Sequence, residues 1–322
     1  MNVPGLNRRG FLTASAAAAA GLGATGFAVS GATGASAAPG SMSQSSGSFT
    51  EAVLAAFRTS RLVGLAESHS LQEHHDLLQT LIGDPRLPEV VDDIVVEFGN
   101  ALYQDMIDAF VLDGQPVNDA DLRSVWRNTT QSPLETCDEP VYEQFFRRVR
   151  AVNWTLPPGK RIRVLLGDPP IDWSTITSQR QILAFVVQRE SHAASVVEQQ
   201  VLAKGRRALL NYGAEHLFHR NGVPVTVVPL IEQQTGVRTY VIADLIPLHP
   251  DPGGLGAKLA SYRRDAVIPA AGTWLGQFNA GLATPGELGQ NGQVTNRLCG
   301  TPLGEILDAG LYLGQPADLT AS

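Results

Sequence analysis

The chain has 322 residues, of which 24 are basic and 31 acidic, and its net charge is −7. An acidic chain without a basic run lacks the electrostatic footprint of a nucleic-acid-binding protein, so we exclude that class. After the amino-terminal segment, no stretch of sequence is apolar over the about 20 residues that a spanning helix needs, so the sequence predicts no transmembrane segment.

The amino terminus has the pattern of an export signal. Paired arginines at residues 8–9 precede a long Ala/Gly stretch, and residues 35–37 read Ala-Ser-Ala, a small-residue cleavage site. We expect residues 1–37 to be a twin-arginine signal peptide and residues 38–48 a flexible Gly/Ser leader. The mature protein is then extracellular or part of the cell envelope. An ordinary secretory signal or a membrane anchor is the alternative, and the Gly and Ser content disfavours the anchor.

Apolar runs and helical patterns alternate along the rest of the chain. Five apolar runs predict strands covered on both faces, at residues 62–67, 93–98, 162–167, 208–212 and 237–246. Periodic apolar residues predict helices, at residues 51–58, 71–82, 101–112, 141–152 and 179–203. This alternation indicates an α/β fold with a mostly parallel central sheet and helices on both faces.

The carboxyl-terminal part of the sequence is less regular. Residues 49–322 fit a single α/β domain by size, and residues 247–322 predict a loop-rich cap or sheet edge, with a separate small domain as the alternative. This part has only short helical patterns, at residues 256–264 and 302–309. In an exported protein Cys137 and Cys299 could form a disulfide or remain two thiols.

Acidic and histidine side chains recur where the predicted strands end. The carboxyl ends of parallel strands lie along one edge of a sheet, so these side chains could share a cleft. Buried carboxylates need partners, which histidines can supply. In chain order these residues are Glu67, His69, Glu97, Asp168, Glu215 and His216.

His69 has two carboxylate neighbours in the sequence. Glu67 precedes it by two residues, and Glu73 follows it by one helical turn on the same face. Carboxylate neighbours fix the tautomer of an imidazole and raise its pKa. The pattern fits a general base that takes a proton from water, a second shell around a metal ligand, or an ion-pair cluster at a helix start.

Two further sets of residues are candidates for binding a ligand. His74 and His75 lie in the first helix after the motif, where one of them falls in the apolar stripe. Such a residue is a core histidine or a haem or metal ligand. Asp168 precedes two prolines that make a rigid strand exit, and Trp173 behind them is a pocket wall or the buried side chain of a plain turn.

Three of these motifs resemble those of the erythromycin esterase, ChaN and Tiki superfamily, and the resemblance covers most of residues 58–246. The matching motifs are Ala66-Glu67-Ser68-His69, Val95-Val96-Glu97 and Gly213-Ala214-Glu215-His216. The erythromycin esterase branch is further matched by Glu73, by Gly167-Asp168 and by the helical pair Arg189-Glu190.

The chain also departs from that branch. Gly213 stands where the esterases have a histidine, so the resemblance does not extend to macrolide ester hydrolysis itself. The adjacent His74 and His75 match the ChaN branch, whose members are exported haem binders linked to iron uptake. Tiki proteins resemble metal-dependent proteases.

The resemblance implies an exported hydrolase that acts on an ester, lactone or amide of a small molecule. His69 would be the general base, oriented by Glu67 or Glu73, while Glu97 and His216 would position water or substrate. The pocket residues would be Asp168, Trp173, Arg189 and Glu215.

Three alternatives remain open from the sequence. The first is a haem-binding protein of iron uptake without turnover, with His74 or His75 as the axial ligand. The second is a metal-dependent hydrolase in which a divalent ion is held by Glu67, His69, Glu97 and His216. The third is a degenerate member that binds a small molecule and catalyses nothing. No cofactor, substrate or oligomeric state is specified by the sequence.

Overall fold

The computed structural model describes residues 47–132, 138–220, 226–248, 250–284, 287–288 and 294–322. The predicted signal peptide and all but the last two residues of the predicted leader lie outside these ranges. Cys137, one half of the predicted disulfide, also lies outside them. No described helix has the length and apolar character needed to cross a membrane.

Eight of the described strands form one sheet in the order β1-β7-β10-β6-β2-β5-β3-β4. Neighbouring strands from β10 to β4 are parallel, whereas β7 is antiparallel to both β10 and β1. The predicted α/β fold with a mostly parallel sheet is therefore confirmed. The strands of this sheet are β1 Gly47–Ser48, β2 Leu62–Glu67, β3 Asp93–Asn100, β4 Arg163–Asp168, β5 Ala208–Gly213, β6 Thr239–Leu245, β7 Ala266–Pro269 and β10 Ala309–Tyr312. A separate antiparallel pair consists of β8 Glu287–Leu288 and β9 Val294–Thr295.

Helices cover both faces of the sheet, because successive strand side chains point to opposite faces and both sets are apolar. In β2, Val63 and Leu65 join one buried cluster with α1, α2, α4, α5 and α6, while Leu62 and Ala66 join the other with α7 to α10. The helices are α1 Phe49–Ala56, α2 Gln72–Ile82, α3 Leu87–Val90, α4 Gln104–Val111, α5 Asp119–Arg127, α6 Pro140–Trp154, α7 Gln179–Val196, α8 Ala214–Leu217, α9 Val227–Thr235 and α10 Leu255–Leu259.

The carboxyl-terminal part contributes two strands to the edge of the sheet and less helix than its sequence pattern predicts. The helix predicted at residues 302–309 is wrong, because only a short 3₁₀ turn, Leu303–Glu305, forms there. Two strands, β7 and β10, extend the central sheet beyond β6. Each has only four residues, which is too short for a periodicity to reveal a strand rather than a helix.

Asn153 connects three elements on the side of the sheet that carries β4. Its amide Nδ2 donates to the carbonyls of Val111 (3.1 Å) and Ile162 (2.8 Å), and its Oδ1 accepts from the Ile162 N–H (2.8 Å). The side chain is buried, so it satisfies peptide groups that water cannot reach. It thus anchors the ends of α4 and α6 to the chain that enters β4.

We expect Asn153→Ala to lower the free energy of unfolding by on the order of 3 kcal/mol, because it leaves buried peptide groups without partners. Urea denaturation measures the change. Gln144→Ala, at an exposed position of the same helix, is the control and should change stability little. Equal stability of the two variants would show that Asn153 is not an anchor.

Candidate functional site

Acidic side chains lie along one edge of the sheet, at the carboxyl ends of four of its parallel strands. Glu67 ends β2, Asp168 ends β4 and Asp244 lies next to the end of β6. Glu97 lies within β3, where the register with β4 shifts between Val96 and Asn100. Such irregularities re-aim side chains at the rim of a sheet. The structure therefore collects these carboxylates at the edge where α/β proteins bind ligands.

His69 lies in the turn between β2 and α2, and its side chain is more exposed than those of His216, Glu67 and Glu97. The turn is fixed by the Ser68 N–H, which donates to Asp244 Oδ2 at 2.8 Å, and by a left-handed Ser70 with φ 62°. His69 Nδ1 lies 2.8 Å from Glu67 Oε1, and the two side chains are 31% and 2% exposed. A buried carboxylate thus holds an imidazole whose other nitrogen, Nε2, is left to face the site.

Glu67 is in turn held from behind by a buried polar network. Asn211 Nδ2 donates to Glu67 Oε2 at 2.7 Å. Asn211 Oδ1 lies 3.0 Å from His74 Nε2, and His74 Nδ1 lies 3.0 Å from Asp244. The chain of contacts from Asp244 to His69 fixes the position of the Glu67 carboxylate.

Glu97 is the second carboxylate at the centre of the cluster. Its Oε2 accepts from the Gly213 N–H at 2.6 Å and lies 3.9 Å from His69 Nε2. Its Oε1 accepts from Gln131 and lies 3.2 Å from His216 Nε2. The site is therefore centred on Glu97, which lies between the two histidines.

His216 is sandwiched between two carboxylates. While Nε2 faces Glu97, Nδ1 lies 2.7 Å from Glu190 Oε1 of α7. Burial lowers the pKa of His216, but the charge of Glu97 and the hydrogen bond to Glu190 outweigh this effect and raise it to about 9. His216 is thus a buried cation at neutral pH.

His69 has the same electrostatic character. Burial lowers its pKa, but the hydrogen bond to Glu67 and the charge of Glu97 raise it to about 9. Burial raises the pKa of Glu67, yet the hydrogen bond from His69 and the charge of His74 bring it to about 2. The pKa of Glu97 is likewise held well below its usual range, chiefly by His216 against the effect of burial. The cluster therefore consists of paired charges.

Asp168 differs from the other carboxylates. Burial raises its pKa to about 7, although the Thr130 N–H (2.9 Å) and the Thr130 hydroxyl (2.5 Å) both donate to it. The nearby Tyr212 hydroxyl is buried without a hydrogen-bond partner among the described residues, and its pKa is raised by burial and by Glu97 and Asp168. One buried carboxyl of the site thus changes its protonation near neutral pH.

Some predicted residues are not part of the cluster. Glu73 does not flank His69, because its carboxylate accepts from the Thr320 N–H at 2.9 Å. Glu215 is 74% exposed and pairs with Arg297. Trp173 donates its indole N–H to the Asn128 carbonyl at 2.7 Å. Arg189 borders the cluster, with its Nε 3.5 Å from Glu190.

The two histidines predicted as haem ligands lie in the interior. His74 is 2% and His75 3% exposed. Both nitrogens of His74 face oxygen atoms of Asp244 and Asn211, and His75 packs edge-on against His74 and Tyr142. A haem iron could therefore reach either ring only after a rearrangement of α2, and axial ligation by these histidines stays an untested prediction.

The predicted metal set does not form a ligand sphere. Among the described residues, no group of three or more His, Cys, Asp or Glu side chains is arranged to hold a metal ion. The physical reason is that the donor atoms face one another: His69 Nδ1 faces Glu67, and both nitrogens of His216 face carboxylates.

Gly213 has a role that the sequence comparison did not suggest. A Cβ at this position would lie 2.6 Å from His69 Nε2 and 3.2 Å from Glu97 Oε2. The absence of a side chain at this position therefore gives His69 the space to approach Glu97.

Sequence reasoning missed three residues that hold the site together. Asn211 is a polar residue inside an otherwise apolar strand, and this break in the apolar run could have indicated a site residue. Asp244 was hidden because the predicted strand continued to residue 246. Gln131 lies in a loop where no local pattern indicates it.

Comparison with known proteins shows similarity in structure alone. No protein-family model and no curated protein matches the sequence. A solved succinoglycan biosynthesis protein has a TM-score of 0.59 at 9% identity, over 84% of this chain and 91% of that one. A Bacillus cereus protein has a TM-score of 0.51 at 12% identity, over 81% and 89%. Their likeness shows that the chain shares their fold.

A third solved structure has a lower score. ChaN of Campylobacter jejuni, described with cofacial haem binding, has a TM-score of 0.37 at 12% identity, over 60% of this chain and 85% of that one. A similarity at this level carries no conclusion about this chain.

We expect Gly213→Ala to displace His69, because the new methyl group overlaps its Nε2 position. The pKa of His69, measured by NMR titration, should fall below about 9 as its contact with Glu97 is lost, while the hydrogen bond to Glu67 keeps it above its usual range. Gly159→Ala is the control, because no atom lies within 4 Å of the added Cβ. An unchanged His69 titration in Gly213→Ala would contradict this role.

Proposed function

We propose that the chain is a hydrolase of small-molecule esters, lactones or amides, related to the erythromycin esterase, ChaN and Tiki superfamily. The observation that carries the proposal is the His69–Glu67 pair, in which a buried carboxylate orients a partly exposed imidazole at 2.8 Å. This is the arrangement of a general base and its orienting group.

In the proposed reaction, neutral His69 takes a proton from water at Nε2. The separation of 3.9 Å between Nε2 and Glu97 Oε2 is too long for a direct hydrogen bond and suits a bridging water. Glu67 stabilises the imidazolium that forms, because its low pKa keeps it charged. The water oxygen then attacks the carbonyl carbon of the substrate. As the tetrahedral intermediate collapses, the bond to the leaving alkoxide or amine breaks and the His69 imidazolium returns its proton to that group.

His216 supports the reaction by its charge. Both of its nitrogens face carboxylates, so it acts as a fixed cation that holds Glu97 rather than as a direct donor to the substrate. Because Glu97 and Glu190 compensate this charge, His216 contributes by keeping the Glu97 carboxylate ionised and in place beside the water. This revises the donor role expected from the sequence.

In the proposed reaction, the active protonation state forms in alkaline solution. His69 must be neutral and His216 protonated, while each has a pKa of about 9. Because the two groups interact through Glu97, they titrate as a coupled pair.

We expect kcat/KM to rise with pH toward about 9 as His69 loses its proton, and to fall above it as His216 does the same. The pH profile of wild-type hydrolysis measures this. The range from about pH 6 to about pH 9 spans the ordinary and the raised pKa of His69. A profile that is flat across this range would contradict His69 as the base.

The carboxylates on either side of His69 provide a matched pair of variants. We expect His69→Ala to reduce the rate of hydrolysis by a factor of about 10²–10⁴. Glu67→Gln should also reduce the rate strongly, because the carboxylate that orients His69 and raises its pKa is removed. Glu73→Gln should retain activity, because Glu73 contacts Thr320 instead. The rates are measured on p-nitrophenyl esters, macrocyclic lactones and anilides.

The same assay decides the proposal as a whole. If wild-type protein turns over none of these substrates faster than buffer, the chain is a binding member of the superfamily without catalysis. If His69→Ala retains wild-type rates with an intact fold, the mechanism is wrong.

A further inference from the structure

We propose that the chain has a second site, which binds the phosphate group of a small organic phosphate. The site is a cavity of about 350 Å³ lined by four cationic residues, Arg161, Arg163, Lys204 and Arg206. We call it the amino-edge cavity. Its volume is at the lower end of the range for small-molecule sites.

The amino-edge cavity is separate from the candidate active site. Arg163 is the first residue of β4, and Arg206 lies two residues before β5. Glu67, Asp168 and Gly213 end their strands, so they lie at the opposite edge of the sheet. Six-residue strands separate the two edges by roughly 20 Å.

Two of the arginines are fixed by carboxylates on one side only. Arg163 donates to Asp108 through Nε (3.0 Å) and Nη2 (2.6 Å), and Arg206 donates to Asp93 through Nε and Nη2 (both 2.7 Å). The Nη1 group of Arg206 has no acceptor within the described parts of the chain. That of Arg163 has only a 3.4 Å contact to Gln200. Each guanidinium is thus pre-oriented with one edge left to a ligand.

The other two cations have no carboxylate partner in the described residues. Arg161 donates to the carbonyls of Leu112 and Leu156. The Lys204 ammonium has a single hydrogen bond, to Gln200 Oε1 at 2.7 Å. Asp108 and Asp93 neutralise the charges of Arg163 and Arg206. Arg161 and Lys204 therefore supply the positive charge that remains in the cavity. Guanidinium forks and lysine ammonium groups are the cations that bind phosphate oxygens in proteins.

The shape and charge of the cavity indicate a phosphate that carries an organic part. Gly159 contributes no side chain, and no atom lies within 4 Å of its absent Cβ, so this wall is open. Asp113 is the one carboxylate in the lining. It disfavours an anion alone, and it can accept a hydrogen bond from a hydroxyl group of the ligand.

Isothermal titration calorimetry of the full chain with glycerol 3-phosphate tests the proposal. Inorganic phosphate and glycerol are parallel probes, all at constant ionic strength. We expect saturable binding of glycerol 3-phosphate, weaker binding of phosphate and none of glycerol. Lys204→Gln should weaken binding about tenfold or more, because it removes a charge-assisted hydrogen bond. Asp113→Asn should tighten it.

Lys160→Gln is the matched control. Lys160 is exposed, pairs with Glu89 and is next to Arg161 in sequence, but it does not line the cavity. Its removal changes the net charge as Lys204→Gln does and should leave affinity unchanged. Thermal unfolding without ligand shows that each variant is folded.

Three results would overturn the proposal: no binding of either phosphate probe, equal loss of affinity in Lys160→Gln and Lys204→Gln, or weaker binding of inorganic phosphate in Asp113→Asn. The first would show that the cavity is not a phosphate site, and the second would show a general effect of charge. The readout is independent of hydrolysis, so it stands whether or not the candidate active site is catalytic.

Discussion

The pairing of buried carboxylates with histidines at the carboxyl edge of the sheet is the interaction on which the site depends. Glu67 and Glu97 are each 3% exposed. An isolated charge in such a position costs several kcal/mol, and the group would otherwise take up a proton. His69, His74 and His216 remove that cost by facing these carboxylates as cations. Loss of one partner leaves the other charge buried and unpaired, so removal of any one of these side chains destabilises the rest of the cluster.

This pairing also determines what chemistry the site can perform. The same carboxylates that hold the histidines keep them protonated at neutral pH, because both pKa values are about 9. A base of this kind is strong once it is neutral, but only a small fraction of it is neutral near pH 7. Asp168, with a pKa of about 7, is the one acid of the cluster that titrates near neutrality. In the proposed reaction, His69 would therefore accept a proton mainly under alkaline conditions.

Charged side chains are paired differently at the two edges of the sheet. At the carboxyl edge, acids and histidines neutralise one another. At the amino edge, Arg163 and Arg206 are paired with Asp108 and Asp93, yet Arg161 and Lys204 add positive charge without carboxylate partners among the described residues. The first arrangement holds groups in place for chemistry, and the second leaves hydrogen-bond donors for an anion.

The sequence by itself determined the alternating strands and helices, because apolar runs and helical periodicity are local properties. It also predicted that Glu67 or Glu73 orients His69, because both lie near it in the sequence, but it did not decide between them. The contacts with Asn211 and Asp244 span 144 and 176 residues of chain. They depend on β5 and β6 lying on either side of β2, a strand order that no local pattern encodes. Only the tertiary structure could show that Glu73 faces the last residues of the chain, and that Gly213 is the space into which His69 fits.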